Sequence, residues 1–442
     1  MKKSARIESI MANNVSLQPY KGARDFYPED KALQKWMFGK WRRVVELYGF
    51  VEMDAPILEP TDLYLIKGNQ EIIEEQTYTF TDRGDRSVTI RAEMTPSASR
   101  MVAGKRQELA YPVRWYSIPN LWRYERMQKG RLREFWQLNV EMYGIESAAA
   151  ELEMIQIVDD LFQAFKAKRT SYVIKLNSRV LVNEMLKSVG LTGESALAVI
   201  RLIDRIKKLS AADFAAQLDA ITQSKETSKS IVKLLTVREV SELPDALKSI
   251  ESAIKLDKLI SLSHSLGIRN VEFDITLMRG FDYYTDIVFE AFDTDPENSR
   301  AVLGGGRYDG LVGQMGVEPI PTIGFAAGDV VFADFLRTHQ LIPEIQLSVE
   351  VNVLIREEEA AAAAQKAASE LREIGVNVAV DYSGRKIDKQ LKAAVKSGVR
   401  YVLFVGSEEA VVELYTLKDL KTGKEEKHSL ARIVSIVKDS RK

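Results

Sequence analysis

The chain has 442 residues, 45% hydrophobic and 28% charged, with 62 Lys and Arg against 63 Asp and Glu for a formal net charge of -1. That length is too great for one small core and points to two to four domains. The 25 Gly and 12 Pro are ordinary for a globular protein and exclude wholesale disorder. Balanced charge removes the bulk electrostatic argument for nucleic acid or an acidic membrane as partner, though not a local basic patch. The absence of cysteine excludes disulfides, thiolate zinc sites and a Cys nucleophile. His264, His339 and His428 stand in no metal-ligand spacing and read as surface or packing residues, so no metal site is expected. Residues 1–15 carry Lys2, Lys3 and Arg6 but no apolar run, so no signal peptide is expected. No stretch of about 18 apolar residues offers a membrane span. The expectation is a cytoplasmic protein with no membrane partner.

In chain order, residues 29–48 predict a helix, with Leu33, Trp36, Met37, Val44, Val45 and Tyr48 at three- and four-residue steps. Pro28 and Gly49 suit its ends. A short β-rich stretch follows, in which Pro56 demands an edge or a bulge. Residues 78–91 read as two strands around an R-G-D turn at 83–85. Residues 113–143 read as a long antiparallel hairpin with a basic, Gly-containing tip. Residues 180–268 change to amphipathic helical runs with few aromatics, the pattern of an inserted domain. Strand patterns resume at Val271 and run through 288–292. After Pro343 strands alternate with helices: 349–355, 357–373, 376–380, 386–396 and 401–405. That alternation predicts a parallel-sheet α/β domain. The fold class is therefore α+β: an antiparallel sheet flanked by helices, a helical insertion, and a C-terminal α/β domain. The corresponding divisions are 1–179, 180–268, 269–343 and 344–442.

The most informative stretch is NLWRYERMQKGRLREFWQLNVEMYG, residues 120–144. At a period of two, Phe135, Gln137, Asn139 and Glu141 share one face, and Trp136, Leu138, Val140 and Met142 the other. Arg123 and Glu125 share a face of the first arm. Five bases (Arg123, Arg126, Lys129, Arg131, Arg133) face one acid (Glu125) around the bend. Such a tip suits a solvated hairpin, but a Phe in line with Gln137 and Glu141 suits a nucleotide platform better: charge for phosphates, a ring for the base.

Neither common phosphate loop is present. GGGRYDG at 304–310 is either a tight turn between strands or a place where backbone approaches a ligand closely. In LMRGFDYYTDIVFEAF, 277–292, the paired tyrosines fit either a sheet core or the wall of a polar ligand pocket. In TIRAEMTPSASR, 89–100, a strand runs into a helix with Thr95 as N-cap and Pro96 at the first helical position. Glu93 at the strand end is left without a structural reason.

Together these segments resemble the class II aminoacyl-tRNA synthetases, and among them the histidyl-tRNA synthetase family. YKGARDFYPED (20–30) resembles that family's N-terminal segment, and the helix and strand ending at Pro56 its dimer-forming motif 1. Residues 120–144 resemble motif 2, while RAEMT (91–95), RGFDYY (279–284) and GGGRYDGL (304–311) are similar to its histidine-specific blocks. The resemblance spans nearly the whole chain, the C-terminal part resembling an anticodon-binding module. It implies an ATP-dependent, histidine-specific tRNA ligase, a homodimer, with Mg²⁺ accompanying ATP and no zinc. It implies that Glu93, Met94, Thr95 and Gln137 line the amino-group side of a histidine site. Glu141, Tyr283 and Tyr284 would form its imidazole pocket. Arg123 and Arg279 would contact carboxylate and α-phosphate as the catalytic pair, and Glu125, Arg131 and Phe135 would position ATP. Arg126, Gln128 and Lys129 at the hairpin tip, with Arg385 and Lys386, would touch tRNA(His).

One position departs from the family pattern. Motif 3 usually carries an arginine that sandwiches ATP, and in GFAAGDVVFADFL (324–336) Val331 stands in its place, so either other groups such as Arg131 or Arg133 hold ATP or catalysis is weakened. Two alternatives stand beside the ligase reading: a non-catalytic regulatory subunit of ATP phosphoribosyltransferase, and a synthetase for another amino acid. The first typically lacks residues like 349–442 and erodes the pocket; the second is disfavoured by the tyrosine pair and Glu141. Residues 381–400 hold six bases and two acids, a second basic patch on a nearly neutral chain. Two such patches suit one large, shaped RNA better than indiscriminate binding.

Overall fold

The computed structural model describes residues 16–65, 76–278, 283–345 and 349–440. The chain divides into two compact units, one of Met1–Asp25 and Met37–Ile342, the other of Phe26–Trp36 and Pro343–Lys442. Arg279 and its three successors lie outside the described residues.

Helix α1 (Pro28–Leu47) opens the described fold. Two short strands follow, β1 (Val51–Glu52) and β2 (Leu58–Pro60), then β3 (Tyr78–Thr81) and β4 (Ser87–Ile90). The last three form a small antiparallel sheet in the order β2-β4-β3. The R-G-D turn is tied by Asp82, whose Oδ1 accepts from the Gly84 and Arg86 N–H groups. Helix α2 (Thr95–Gly104) leads to β5 (Val113–Ser117), β6 (Asn120–Trp122) and β7 (Glu134–Tyr143). Helix α3 (Ala149–Gln163) and β8 (Tyr172–Ser178) precede the helical stretch: α4 (Arg179–Ser188), α5 (Gly193–Asp204), α6 (Ala211–Thr222), α7 (Lys225–Leu234), α8 (Asp245–Lys248) and α9 (Glu251–Ser265). Strands β9 (Val271–Phe273), β10 (Ile287–Asp293), β11 (Ala301–Arg307) and β12 (Thr322–Gly328), then helix α10 (Asp329–Thr338), complete the first unit.

The large sheet runs β1-β5-β7-β12-β11-β10-β8-β9, with β6 pairing β7. Its six central strands are antiparallel, and a parallel strand closes each edge, β1 on β5 and β9 on β8. One face, carrying Leu138, Val140, Phe325 and Phe289, is fully buried. Against this unit's core Trp41, Phe162, Phe165, Phe332 and Phe335 interlock, Phe162 stacking on Phe332 at 5.5 Å and Trp41 meeting it edge-on at 5.2 Å. This aromatic packing fixes α10, and with it the residues at its start.

The glycines at 304–306 form no turn; they lie within β11, which corrects the first reading of that segment. Register explains them. Glu141, Gly324 and Gly306 form a row across β7, β12 and β11, and Asn139, Ala326, Gly304 and Glu290 form the next. On this face small residues leave a depression where side chains would otherwise stand.

A buried ion network braces the same strands. Arg307 donates to both oxygens of Glu151 at 2.7 and 2.8 Å, and Lys255 of α9 bridges Glu151 and Asp286 at 2.7 and 2.9 Å. Burial alone would raise Glu151, yet Arg307 and Lys255 hold its carboxyl below the usual range.

The second unit's sheet comprises β13 (Val351–Ile355), β14 (Val378–Asp381), β15 (Tyr401–Val405), β16 (Tyr415–Asp419) and β17 (Glu425–His428). Its order is β14-β13-β15-β16-β17. The first three are parallel as expected, but β16 and β17 add an antiparallel hairpin, so the sheet is mixed. Val351, Val353 and Leu403 face α11 (Ala361–Glu373) and α14 (Leu430–Asp439), with α12 (Ile387–Lys396) and α13 (Ser407–Val412) between them in sequence. Leu354, Val402 and Phe404 alternate to the opposite face, against Ala394 of α12. Gln390 and Ala394 of α12 are buried while Lys389, Lys392 and Lys396 are exposed.

Candidate active site

A cleft of about 530 Å³ lies over the small-residue floor of the large sheet, lined among others by Gln137, Gly304, Ala326 and Gly328. That volume suits a nucleotide-sized ligand. Arg123, Glu125, Arg131 and Phe135 all line it, so the structure brings together the four nucleotide candidates of the hairpin. Arg123 is held by its Nε–H donating to Ala92 O at 2.9 Å, and its guanidinium lies 5.3 Å from the Phe135 ring centre. Arg131 pairs with Glu125 at 2.9 Å across the bend. The bend is closed by the Arg131 N–H donating to Gln128 O at 2.9 Å, with Gly130 at φ +75° supplying the left-handed residue. Val331 also lines the cleft, from the first turn of α10.

Arg133 does not line the cleft, which removes it as a substitute for the motif 3 arginine. Strand β7 begins at Glu134, so two-residue alternation does not carry back to Arg133. Its guanidinium instead sits 3.9 Å from the Tyr124 ring centre and donates to Tyr20 Oη at 3.2 Å. Gly22 packs against its stem and accepts its backbone N–H at 2.9 Å. The neighbouring Arg24 reaches Asp329 at 2.8 Å, while the other Asp329 oxygen accepts the Trp136 N–H at 3.0 Å. Residues 20–24 therefore tie the hairpin base to the start of α10, a role their composition did not announce.

Of the histidine-site candidates Gln137 lines the cleft, while Glu93, Met94, Thr95, Glu141, Tyr283 and Tyr284 form a buried cluster. Tyr283 Oη donates to Glu93 Oε1 at 2.6 Å, and both residues are buried. The rings of Tyr283, Tyr284 and Tyr308 lie 4.8 to 6.0 Å apart. Gly306 and Gly324 make that possible: a Cβ there would fall 2.8 Å from Tyr284 Cδ1 and 2.5 Å from Tyr308 Oη. Glu141 is 2% exposed; its Oε2 accepts from Tyr143 Oη at 2.6 Å, and its Oε1 has no hydrogen-bond partner among the described residues. Burial pushes the Glu141 carboxyl up to about 7, against the opposing pull of the Tyr143, Thr95 and Tyr308 hydroxyls. Thr95 is the first residue of α2 rather than its cap: Met94 stands at the cap with helical backbone angles. Met94 is fully buried. Sequence reading missed Tyr143 and Tyr308 in the buried cluster and Arg300 in the cleft lining; the GGGRYDG block held the second, but Arg300 carried no local signal.

The hairpin-tip residues Arg126, Gln128 and Lys129 are exposed, as are Arg385 and Lys386 ahead of α12. Lys129 donates to Glu297 O at 3.1 Å, and Arg385 pairs with Asp381 at 3.1 Å. His264, His339 and His428 contact Val271 O, Asp293 and Glu426, outside the cleft. Among the described residues no group of three or more His, Asp or Glu could hold a metal ion, and no helix is long and apolar enough to cross a membrane.

Sequence models of two families match the chain: histidyl-tRNA synthetase over residues 22–328 and the anticodon binding domain over 349–440. The histidine–tRNA ligase of Leptospira biflexa serovar Patoc is 37% identical over 430 residues, covering 96% of this chain and 98% of the relative. That of Thermoplasma volcanium is 35% identical over 432 residues, covering 96% and 99%. Among solved structures, the histidyl-tRNA synthetase of Nostoc sp. PCC 7120 superposes with a TM-score of 0.83 at 22% identity, covering 97% of this chain and 100% of that one, a likeness of fold. The chain belongs to the histidyl-tRNA synthetase family.

Proposed function

We propose that the protein is a histidine–tRNA ligase, activating histidine with ATP and transferring it to tRNA(His). The observation that carries this reading is the buried Glu141 carboxylate, with one oxygen unpartnered among the described residues beside a cluster of tyrosines. Such an oxygen fits the N–H of an imidazole, and a substrate unable to donate leaves it desolvated and unpaired, which discriminates by about 10⁴–10⁵. Glu93 accepts from Tyr283 and is the carboxylate available to a substrate ammonium group, with Thr95 and Gln137 nearby in the sequence blocks assigned to it.

Activation is in-line attack of the histidine carboxylate on the α-phosphorus. An acyl–phosphate bond forms, the bond to the β-phosphate oxygen breaks, and pyrophosphate leaves. The step needs positioning and charge neutralisation, not a general base. Arg123 is the cleft's candidate for the α-phosphate, with Arg279 its partner; Phe135 offers the ring face for adenine. Glu125 and Glu290, which line the cleft, would hold the Mg²⁺ that accompanies ATP, whose charge would offset that of the phosphates. The terminal ribose hydroxyl of tRNA then attacks the carbonyl carbon and AMP leaves.

Residues 1–179 and 269–343 would form the catalytic domain, 180–268 an insertion, and 344–442 the tRNA-contacting domain, supported by the anticodon-binding match. A homodimer, the family's arrangement, is supported by exposed Leu47, Val51, Ile57, Leu58 and Phe80 around the edge strand β1 and the small sheet. A cytoplasmic location accompanies this reading. The regulatory-subunit alternative is less supported, because the chain keeps residues 349–440 and its near full-length relatives are named ligases. Incorporation of labelled histidine into acid-precipitable tRNA tests the proposal. Charging that requires ATP and tRNA(His) is expected; none by folded protein supplied with Mg²⁺ would overturn it. In the same assay Arg279→Ala should abolish activation while leaving the thermal transition in place.

A further inference from the structure

Arg300 stands one residue before β11 and lines the cleft with Arg131, Glu125 and Val331. Three parts of the fold converge there, because a Cβ on Gly130 would lie 3.1 Å from Arg300 Cδ and 3.2 Å from Val331 Cγ2. The side chain from position 300 thus fills the space that a long side chain from position 331 would reach. Its stem is fixed: Arg300 Nε–H donates to Lys129 O at 3.1 Å. Arg131 is paired with Glu125, whereas Arg300 has no ion pair with a carboxylate among the described residues. Glu125, the carboxylate beside both guanidinium groups, is paired with Arg131. Burial, and next the charge of Arg131, lower the Arg300 pKa against the opposing pull of Glu125.

We infer that Arg300 supplies the ATP-binding cation that Val331 does not, its guanidinium holding the phosphates of ATP beside Arg131. This rests on the ATP-dependent ligase reading. A guanidinium suits phosphate oxygens because it presents paired N–H donors in one plane, which lysine cannot. The position is reached from strand β11 instead of helix α10, so the same volume is served by a different element.

The test is histidine-dependent ATP–pyrophosphate exchange in wild type, Arg300→Ala, Arg300→Gln and Arg300→Ala/Val331→Arg, with thermal denaturation of each. Arg300→Ala should raise KM for ATP and for pyrophosphate about 10- to 100-fold, the loss expected for a charge-assisted bond. KM for histidine should stay within about twofold. Arg300→Gln, which keeps the stem, should behave like Arg300→Ala and serves if the latter does not fold. The double variant should recover most of the lost affinity for ATP, a result that a purely structural role does not give. Unchanged KM for ATP and pyrophosphate in the single variants, or a double variant no better than Arg300→Ala, would overturn the inference. So would a defect confined to KM for tRNA, which would assign Arg300 to the RNA backbone. If wild type shows no exchange, ATP titration by calorimetry separates the two claims. Weaker binding by Arg300→Ala would then keep the phosphate site while the ligase reading falls, and equal binding would end both.

Discussion

In the proposed reading Glu141 ties stability to function through its protonation. In the folded state its carboxyl is pushed from an ordinary 4.5 to about 7. Between those two values the folded protein binds a proton that the unfolded chain has lost. Folded-state stability from this group is therefore full below about 4.5 and declines as pH rises through 7. Glu141→Gln carries no charge and escapes that decline. Its melting temperature relative to wild type should climb between pH 5 and pH 8, read by thermal denaturation without ligand. The same variant should raise KM for histidine about 10- to 100-fold, with KM for ATP little changed. A stabilised protein that cannot hold its substrate is the expected trade. Arg123 makes the contrasting case. Its Nε already serves Ala92 O, so Arg123→Ala should lower the rate of adenylate formation by about 10²–10³ in single-turnover experiments, through lost neutralisation of the phosphate.

Strand β11 shows at the level of one element why sequence and structure disagree where they do. Three successive glycines signal a turn in isolation, and nothing local says that tyrosines from 283–284 and 308 will lie over them. Across the sheet the reason is plain, since a Cβ at Gly305 would sit 2.1 Å from Gly324 O on the face that packs against the helices. Gly305→Ala should therefore cost about 3 kcal/mol in urea unfolding. Glu151→Ala should cost about 3–5 kcal/mol, because it strands Arg307 and Lys255 in a buried site. The C-terminal strands and helices through β15 were legible because short apolar strands alternate with amphipathic helices. The hairpin of β16 and β17 was not: β17 is the charged segment Glu425–His428 at the sheet edge, polar enough to pass for a loop. Ordered motifs singled out the residues of motif 2 and the tyrosine block, and the fold groups the first along the cleft and the second in a buried cluster. Arg300 escaped because its relation to Val331 exists only in space.

For the molecule as a whole, near-zero net charge conceals two local concentrations of base, at the hairpin tip and along α12. Lys389, Lys392 and Lys396 are exposed on one side of that helix, opposite buried Gln390 and Ala394. Replacing the three lysines with glutamine should raise KM for tRNA and flatten its dependence on salt by up to about two to three counterions. Activation of histidine, which needs no RNA, should be unchanged. Local charge of this kind gives affinity for one shaped RNA, while overall neutrality keeps other polyanions away. The central claim, that a buried carboxylate and its tyrosines select histidine for adenylation, is tested most directly by ATP–pyrophosphate exchange with each of the twenty amino acids in turn. Exchange supported by histidine at least about 10³-fold better than by any other is the result expected. Exchange supported equally by another amino acid, or by none while ATP still binds, would contradict it.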